Sequence, residues 1–261
     1  MADQEQPFFD AHLHVIDPAY PLTAAQGFVP EPFCAADYLQ AADRLLEPAG
    51  FVPAGGAVVS GSFQGTDQTY LAAALAALGP GFVGVTQLRP DTSDAELLRL
   101  HGLGVRALRA NLVRDRVDDL DDLVGLALRA RVLAGWHLEL YVRSADLPEL
   151  MPMLPDADGM VVDHLGLTAA GLPTLLTLVD EGAWVKATGF SRGDLDVPAT
   201  LRAVYDRNPS ALLAGTDLPC TRAPRPVDAG DLSLLREVFD ADELAQVVHD
   251  NASSLYRRDR R

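Results

Sequence analysis

The sequence predicts an α/β fold of the (β/α)8 TIM-barrel class, in which eight parallel strands alternate with helices and close into a cylinder. The length of 261 residues is close to the roughly 250 of such a barrel. Eight short β-rich segments recur along the chain, each followed by a segment that can form a helix, and this alternation is typical of parallel βαβ units. No G-x-G-x-x-G motif follows the first strand, which argues against a dinucleotide-binding sheet. We therefore expect residues 1–261 to form a single barrel domain.

The predicted strands are short, and some are almost entirely apolar. The segments Gly56–Gly61 (GAVVSG) and Gly159–His164 (GMVVDH) have the composition of strands that are buried on both faces. In chain order the predicted strands are Phe8–His12, Gly56–Ser60, Phe82–Gln87, Val105–Arg109, Trp136–Tyr141, Met160–Asp163, Ala183–Thr188 and Leu212–Thr216.

Helical segments fill the intervals between these strands. Some begin with polar residues that favour a helix N-terminus, as in Thr92-Ser93-Asp94 and Ser144-Ala145-Asp146. In chain order the predicted helices are Ala35–Glu47, Thr69–Leu78, Asp94–Leu100, Asp118–Ala134, Asp146–Leu154, Gly171–Glu181, Pro198–Asn208, Asp231–Phe239 and Ala241–Tyr256.

The charge of the chain limits the class of partner. The formal net charge is −16, and a field of this sign repels nucleic-acid phosphates and anionic lipid surfaces. We expect a small-molecule substrate, no nucleic acid and no membrane, whereas the sequence leaves the oligomeric state open. The first residues lack the features of a signal peptide, and no apolar run approaches the ~20 residues of a membrane span, so we expect a cytoplasmic protein.

Four reactive side chains lie at the predicted carboxyl ends of strands, where barrels of this class form their active sites. Strand one ends in His12-Leu13-His14, and side chains two residues apart on a strand share a face. His164 follows strand six and Asp217 follows strand eight. Because a closed barrel places strands one and eight side by side, we predict that the four residues form one catalytic cluster.

Seven motifs spread along the chain carry a family resemblance. They are Phe9–His14 (FDAHLH), Ser60–Asp67, Gly104–Asn111, Gly135–Tyr141, Val162–Gly166 (VDHLG), Trp184–Gly189 and Gly215–Pro219 (GTDLP). In this order they resemble the amidohydrolase superfamily, and more narrowly the 2-pyrone-4,6-dicarboxylate lactonase-like branch of the amidohydrolase 2 family. The resemblance implies a distorted (β/α)8 barrel of the amidohydrolase type and a hydrolase that acts on the carboxylic ester of a lactone ring. The family's reactive positions match His12, His14, His164 and Asp217.

The resemblance leaves the need for a metal ion open. Metal-dependent members of the superfamily often place a histidine on strand five, and some use a lysine on strand four, whereas this chain has Tyr141 and Arg109 there. Neither residue is a good zinc ligand. Since the lactonase branch is able to work without a metal, we expect none to be obligatory. If a divalent ion such as zinc is bound, the expected ligands are His12, His14, His164 and Asp217.

A hydrolytic mechanism follows as a hypothesis. Asp217 is the candidate general base that takes a proton from the attacking water. His164, the histidines of strand one or a bound divalent ion would stabilise the negative charge that develops on the carbonyl oxygen.

Arginine side chains are the first candidates for binding the substrate. Arg109 and Asn111 share a face near the end of strand four, and Arg109 can pair with a carboxylate through two hydrogen bonds. Arg192, in the loop after strand seven, can do the same. The alternatives are a structural ion pair for Arg109 and a solvated loop charge for Arg192.

Hydroxyl groups provide further candidates. Ser60 and Ser62, at the end of strand two, can donate hydrogen bonds to an acid group, although turn formation would also explain them. Tyr141 can donate to a carbonyl oxygen or fill the pocket wall.

The predicted function is the hydrolysis of a lactone that carries a carboxylate, in the breakdown of an aromatic acid or a sugar acid. A metal-dependent decarboxylase of the same superfamily is one alternative, and it would require a firmly bound zinc. A barrel that only binds a ligand is the other, but a site without chemistry has no reason to keep the four reactive residues together.

Overall fold

Eight parallel strands form one nearly closed barrel in the computed structural model, which describes residues 5–113 and 120–257. Each strand pairs with the next one in chain order, so the sheet runs from β1 to β8 without a crossover. The strands are β1 (Gln6–Leu13), β2 (Phe51–Val59), β3 (Phe82–Thr86), β4 (Val105–Asn111), β5 (His137–Tyr141), β6 (Met160–Val162), β7 (Trp184–Ala187) and β8 (Leu212–Ala214). The predicted fold class is confirmed. Only β2 begins well before its predicted start, because Phe51 pairs with Gln6 of β1.

The α-helices follow the strands as expected for βαβ units. They are α1 (Ala35–Leu46), α2 (Thr69–Leu78), α3 (Asp94–Gly102), α4 (Leu120–Ala134), α5 (Leu147–Leu150), α6 (Leu172–Asp180), α7 (Val197–Arg207), α8 (Ala229–Val238), α9 (Ala241–Ala245) and α10 (Asn251–Tyr256). Among the helices of the described residues, none has the length and apolar character that crossing a bilayer requires.

Two predicted helices are interrupted. The segment predicted as Asp146–Leu154 forms α5 and then a 3₁₀ turn, Met151–Met153, because Pro152 lacks the N–H that an α-helix needs there. The segment Ala241–Tyr256 contains a π turn at Gln246–Asp250 that no glycine or proline marks in the sequence. Residues 118 and 119 of the predicted fourth helix lie outside the described residues.

Alternation along the strands divides the apolar side chains between two layers. Phe8 packs in the cluster between strands and helices, and the next residue, Phe9, packs in the smaller cluster inside the barrel. Tyr256 of α10 belongs to that inner cluster and stacks on Phe9 with ring centroids 5.7 Å apart. Helix α10 therefore packs at the end of the barrel opposite the predicted active site.

Backbone hydrogen bonds join the chain beyond β8 to the end of β1. The N–H of Asp217 donates to the carbonyl of His12 (2.7 Å), and the N–H of His14 donates to that of Leu218 (2.8 Å). This junction places the reactive residues of both strands on one rim of the barrel, as the closed-barrel argument predicts.

Asp10 strengthens the same junction from inside. Its carboxylate accepts hydrogen bonds from the N–H and the hydroxyl of Thr216 (2.8 and 2.6 Å) and from the hydroxyl of Tyr38 (3.1 Å). Gly215 allows this approach, since a Cβ there would lie 2.9 Å from Asp10 Oδ1 and 2.8 Å from the nitrogen of His12. Each residue of the GTD motif thus has its own role. Gly215 allows close contact between the strands, Thr216 donates to Asp10, and Asp217 lies at the rim.

Candidate active site

A cavity opens at the carboxyl ends of the strands and encloses about 390 Å³ of space, part of it open to solvent. It lies where the fold predicts an active site. The predicted site residues that line it are His14, His164, Asp217, Ser62, Arg109, Asn111, Tyr141 and Arg192. His12 and Ser60 are not part of the lining and are fully buried.

The four predicted reactive residues lie close together. Oδ1 of Asp217 is 3.9 Å from Nε2 of His12 and 3.8 Å from Nε2 of His14. The ring of His12 has its centroid 5.0 Å from that of His14 and 4.8 Å from that of His164. Residues that are far apart in the sequence therefore form one cluster.

Hydrogen bonds restrict where the histidines carry their protons. Nδ1 of His14 lies 2.7 Å from the carbonyl oxygen of Val59, which only accepts, so neutral His14 has its proton on Nδ1 and a lone pair on Nε2. Nδ1 of His12 lies 3.4 Å from both Oδ1 of Asp163 and Nζ of Lys186. Asp163 favours the Nδ1–H tautomer of His12, and Lys186 favours the Nε2–H tautomer.

Burial keeps the two cavity histidines neutral. It lowers the pKa of His14 and of His164 well below the usual value, and the nearby His12 and Arg192 act in the same direction. Burial raises the pKa of Asp217, while the charge of Arg192 opposes this shift. Neutral imidazoles beside a carboxylate form an arrangement suited to moving a proton.

Strained backbone places two of the reactive residues. Asp217 (φ 61°) and His164 (φ 53°) are in the left-handed region, which is unfavourable for residues with a Cβ and is enriched at functional sites. Gly189 makes room for His164, because a Cβ there would lie 2.7 Å from its Nδ1. The ring of His164 also contacts Thr188, with Nδ1 2.8 Å from Oγ1.

The two predicted arginines have acidic partners. Arg192 donates to Oδ2 of Asp217 from Nε (2.7 Å) and contacts the same oxygen with Nη2 (2.6 Å). Its side chain is 6% exposed, so the alternative of a solvated loop charge is wrong. Arg109 donates to Oδ2 of Asp163 from Nε and Nη2 (3.2 and 3.0 Å). The structural ion pair considered for Arg109 is present, and the same guanidinium also lines the cavity.

The remaining candidates divide between cavity and core. Ser60 is not part of the cavity lining: its hydroxyl donates to Oε1 of Gln68 (2.9 Å) and forms a second hydrogen bond with the hydroxyl of Tyr70 (2.7 Å). Tyr141 packs edge-on against His164 with ring centroids 5.3 Å apart. Tyr141 therefore forms part of the pocket wall.

A buried ionic layer lies directly beneath the cluster. Lys186 of β7 pairs with Glu139 of β5 and lies 3.5 Å from Oδ1 of Asp163. Burial raises the pKa of Glu139, but the charge of Lys186 together with the hydrogen bond and charge of His137 lowers it to about 2. Tyr256 donates a hydrogen bond to the other oxygen of Glu139. Lys186 thus connects strands inside the barrel, as expected of an interior residue.

Several residues of this site were not predicted from the sequence, and Asp163, Phe28 and Arg222 are the ones that matter most to its geometry. Asp163 orients both Arg109 and His12. The sequence feature that could have indicated its role is a carboxylate at the end of an apolar strand. Phe28 and Arg222 line the cavity from loops after β1 and β8, and no pattern in these loops indicated their position.

Comparison with known proteins agrees with the geometry. A family model described as amidohydrolase matches residues 9–258. The chain belongs to the amidohydrolase family. This confirms the resemblance that the motifs carried, including its narrower branch.

Three proteins similar to this amidohydrolase are described as 2-pyrone-4,6-dicarboxylate hydrolases. A 2-pyrone-4,6-dicarboxylate hydrolase of Comamonas testosteroni is 30% identical over 280 residues, which cover 95% of this chain and 89% of the relative. The crystal structure of a Pseudomonas putida protein assigned as a 2-pyrone-4,6-dicarboxylic acid hydrolase has 28% identity, a TM-score of 0.77 and 97% coverage of both chains. A similarly assigned Acinetobacter baumannii protein, with citric acid bound, has 20% identity, a TM-score of 0.77 and coverage of 95% and 98%.

Proposed function

We propose that this amidohydrolase opens the ring ester of a carboxylated lactone by attack of water, with Asp217 as the general base. The observation that carries the proposal is the position of Asp217: Oδ2 is held by Arg192, while buried Oδ1 has no hydrogen-bond partner among the described residues. An acceptor oxygen of this kind is suited to receive a proton. The relatives described as 2-pyrone-4,6-dicarboxylate hydrolases support a lactone as the substrate class.

The first step adds water to the lactone carbonyl. Asp217 takes one proton from the water while the oxygen of that water forms a bond to the carbonyl carbon. The carbonyl oxygen then becomes negatively charged. Burial raises the pKa of the Asp217 carboxyl, which makes it a stronger proton acceptor, and the charge of Arg192 opposes this shift. The hydrogen bond from Arg192 holds the carboxylate in place.

The second step breaks the ring ester. Neutral His164 presents an Nε2–H donor when its Nδ1 accepts from the hydroxyl of Thr188, so it is the best-placed histidine to stabilise the oxyanion. His14 has a lone pair on Nε2 and cannot donate from it. As the oxyanion collapses, the ring C–O bond breaks and the leaving oxygen takes the proton from Asp217. The products are a hydroxyl or enol group and a new carboxylic acid, which releases its proton to solvent and becomes a carboxylate.

Arg109 and Tyr141 are the proposed partners of the substrate's acid group. Asp163 accepts from Nε and Nη2 of Arg109, and the carbonyl of Ser60 accepts from Nη1 (2.9 Å), whereas the guanidinium has five N–H donors in all. The guanidinium carbon lies 5.6 Å from the centroid of the Tyr141 ring. Asn111 and Ser62 line the same cavity and provide uncharged polar contacts.

The same cluster fits a divalent cation in its geometry. Buried Nε2 of His12 and Oδ1 of Asp217 have no hydrogen-bond partner among the described residues, and with His14 they form a compact group of ligand atoms. Imidazole nitrogens and a carboxylate oxygen are donors that zinc accepts, and His164 would be a fourth group. A bound cation would polarise the lactone carbonyl.

The charges of the cluster argue against tight binding of such a cation. The ion pairs of the cluster and the layer below already match three cations, Arg109, Lys186 and Arg192, with three anions, Glu139, Asp163 and Asp217. A divalent ion would add two positive charges to these paired groups in a buried site.

We therefore expect enzyme that has been depleted of metal by a chelator to retain most of its lactonase activity. Metal content and initial rates should be measured on the same sample before and after chelation, with zinc added back as the control. Loss of activity that zinc restores would contradict the expectation and favour metal-dependent chemistry, including the decarboxylase alternative.

A screen of lactones with a pH indicator tests the function itself, since each hydrolysis releases an acid. The set should contain 2-pyrone-4,6-dicarboxylate, sugar-acid lactones and lactones without a carboxylate. We expect acid release only from carboxylated lactones, because the arginines bind the acid group. Absence of acid release from every lactone would overturn the proposed function and leave the ligand-binding alternative.

A further inference from the structure

The mouth of the cavity carries a third arginine, stacked on an aromatic ring. The guanidinium carbon of Arg222 lies 4.3 Å from the centroid of Phe28, and both side chains line the cavity. Arg222 also donates a hydrogen bond to the carbonyl of Ala25. The loop after β8, which contains Asp217, is thereby joined to the loop after β1.

A tight turn holds Phe28 in this position. The backbone N–H groups of Ala25 and Phe28 each donate to the other's carbonyl (3.0 and 3.1 Å). Between them, Gln26 (φ 52°) and Gly27 (φ 77°) both have left-handed backbone, as in a two-residue hairpin turn. The turn thus fixes the backbone position of Phe28, and the ring of Phe28 in turn orients the guanidinium that stacks on it.

Arg222 and Arg109 reach the cavity from different parts of the barrel. Arg109 lies on β4, whereas Arg222 lies in the loop after β8, and these two strands are four positions apart in the order of the sheet. Both residues line one cavity in a chain of net charge −16. Positive side chains from separate parts of a pocket wall in an acidic protein indicate a ligand with more than one negative group.

We propose that Arg222, oriented by Phe28, is a specificity-determining residue that binds a second, outer acid group of the substrate. This proposal rests on the proposed function for the inner acid group at Arg109. A guanidinium stacked on a ring keeps its N–H donors in the plane of the group, where they match the two oxygens of a carboxylate. Stacking also reduces the freedom that the side chain loses on binding.

Binding of stable ring acids tests the proposal without turnover. Calorimetric titration should compare isophthalate, which has two acid groups, with benzoate, which has one, on the wild type, Arg222→Gln and Arg225→Gln. Arg225 lies in the same loop but is exposed and pairs with Asp231, so it is the matched control. Loss of charged hydrogen bonds should weaken isophthalate binding to Arg222→Gln roughly 10- to 100-fold, with benzoate binding unchanged.

The outcomes separate this proposal from the proposed function. Equal weakening of both acids, no weakening of either, or a wild type that binds isophthalate no better than benzoate would each overturn the role of Arg222. Selective weakening supports it even if the lactone screen is negative, since binding does not depend on hydrolysis. Arg222→Lys, which keeps the charge but not the planar fork, should recover only part of the isophthalate affinity.

Discussion

Replacing Asp217 with asparagine should lower the rate of lactone hydrolysis by about 10²- to 10⁴-fold, the range typical of a positioned general base. Asparagine has nearly the same shape, and its carbonyl oxygen can still accept the hydrogen bond from Arg192 that Oδ2 accepts in the wild type (2.7 Å). It has no basic oxygen, so the attacking water keeps its proton. The loss should therefore appear in kcat, with little change in KM.

Asp228→Asn is the matched control for this substitution. Asp228 also follows β8, but its side chain caps the first turn of α8, a position where asparagine is as favourable as aspartate. Steady-state kinetics and thermal unfolding should be measured on both variants. Asp217→Asn with near-normal kcat would show that another group removes the proton. Asp217→Asn that has lost its cooperative unfolding transition would not support a catalytic role.

The fold was predictable because the barrel depends on a repeated local pattern. Buried strands such as β6 are apolar on both faces, and their alternation with helices requires no knowledge of long-range contacts. The convergence of His12, His164 and Asp217 then followed from topology alone, since all three come at carboxyl ends of strands. The π turn in the last helical segment, Gln246–Asp250, was not predictable because its residues are ordinary helix residues.

Residues that act through a partner were harder to predict. The role of Asp163 depends on Arg109 and His12, which come from other strands, and sequence spacing does not encode such distances. Ser60 ends a strand near the site, yet its hydroxyl bonds to Gln68 inside the protein. Arg222 lies in a loop without regular structure, where no periodicity predicts the direction of a side chain.

Lys186→Met should reduce the free energy of unfolding by about 3–5 kcal/mol, the typical cost of removing one member of a buried ion pair. Lys186 and Glu139 are both fully buried, and methionine would leave the carboxylate of Glu139 without its cation. Lys186 also lies 3.5 Å from Oδ1 of Asp163, so this second carboxylate loses a favourable charge as well. Urea unfolding followed by circular dichroism measures the loss.

The double variant Lys186→Met/Glu139→Gln distinguishes a charge effect from a packing effect. Glutamine removes the uncompensated charge while its carbonyl can still accept the hydrogen bond from Tyr256. If the unpaired carboxylate causes the loss, the double variant should be more stable than Lys186→Met alone, because replacing a whole buried pair is often nearly neutral. If the double variant loses as much free energy of unfolding as Lys186→Met, or more, the effect would instead come from the packing of the lysine side chain inside the barrel. The buried pair would then contribute through its shape, and the charge balance beneath His12 would have little part in the stability of the fold.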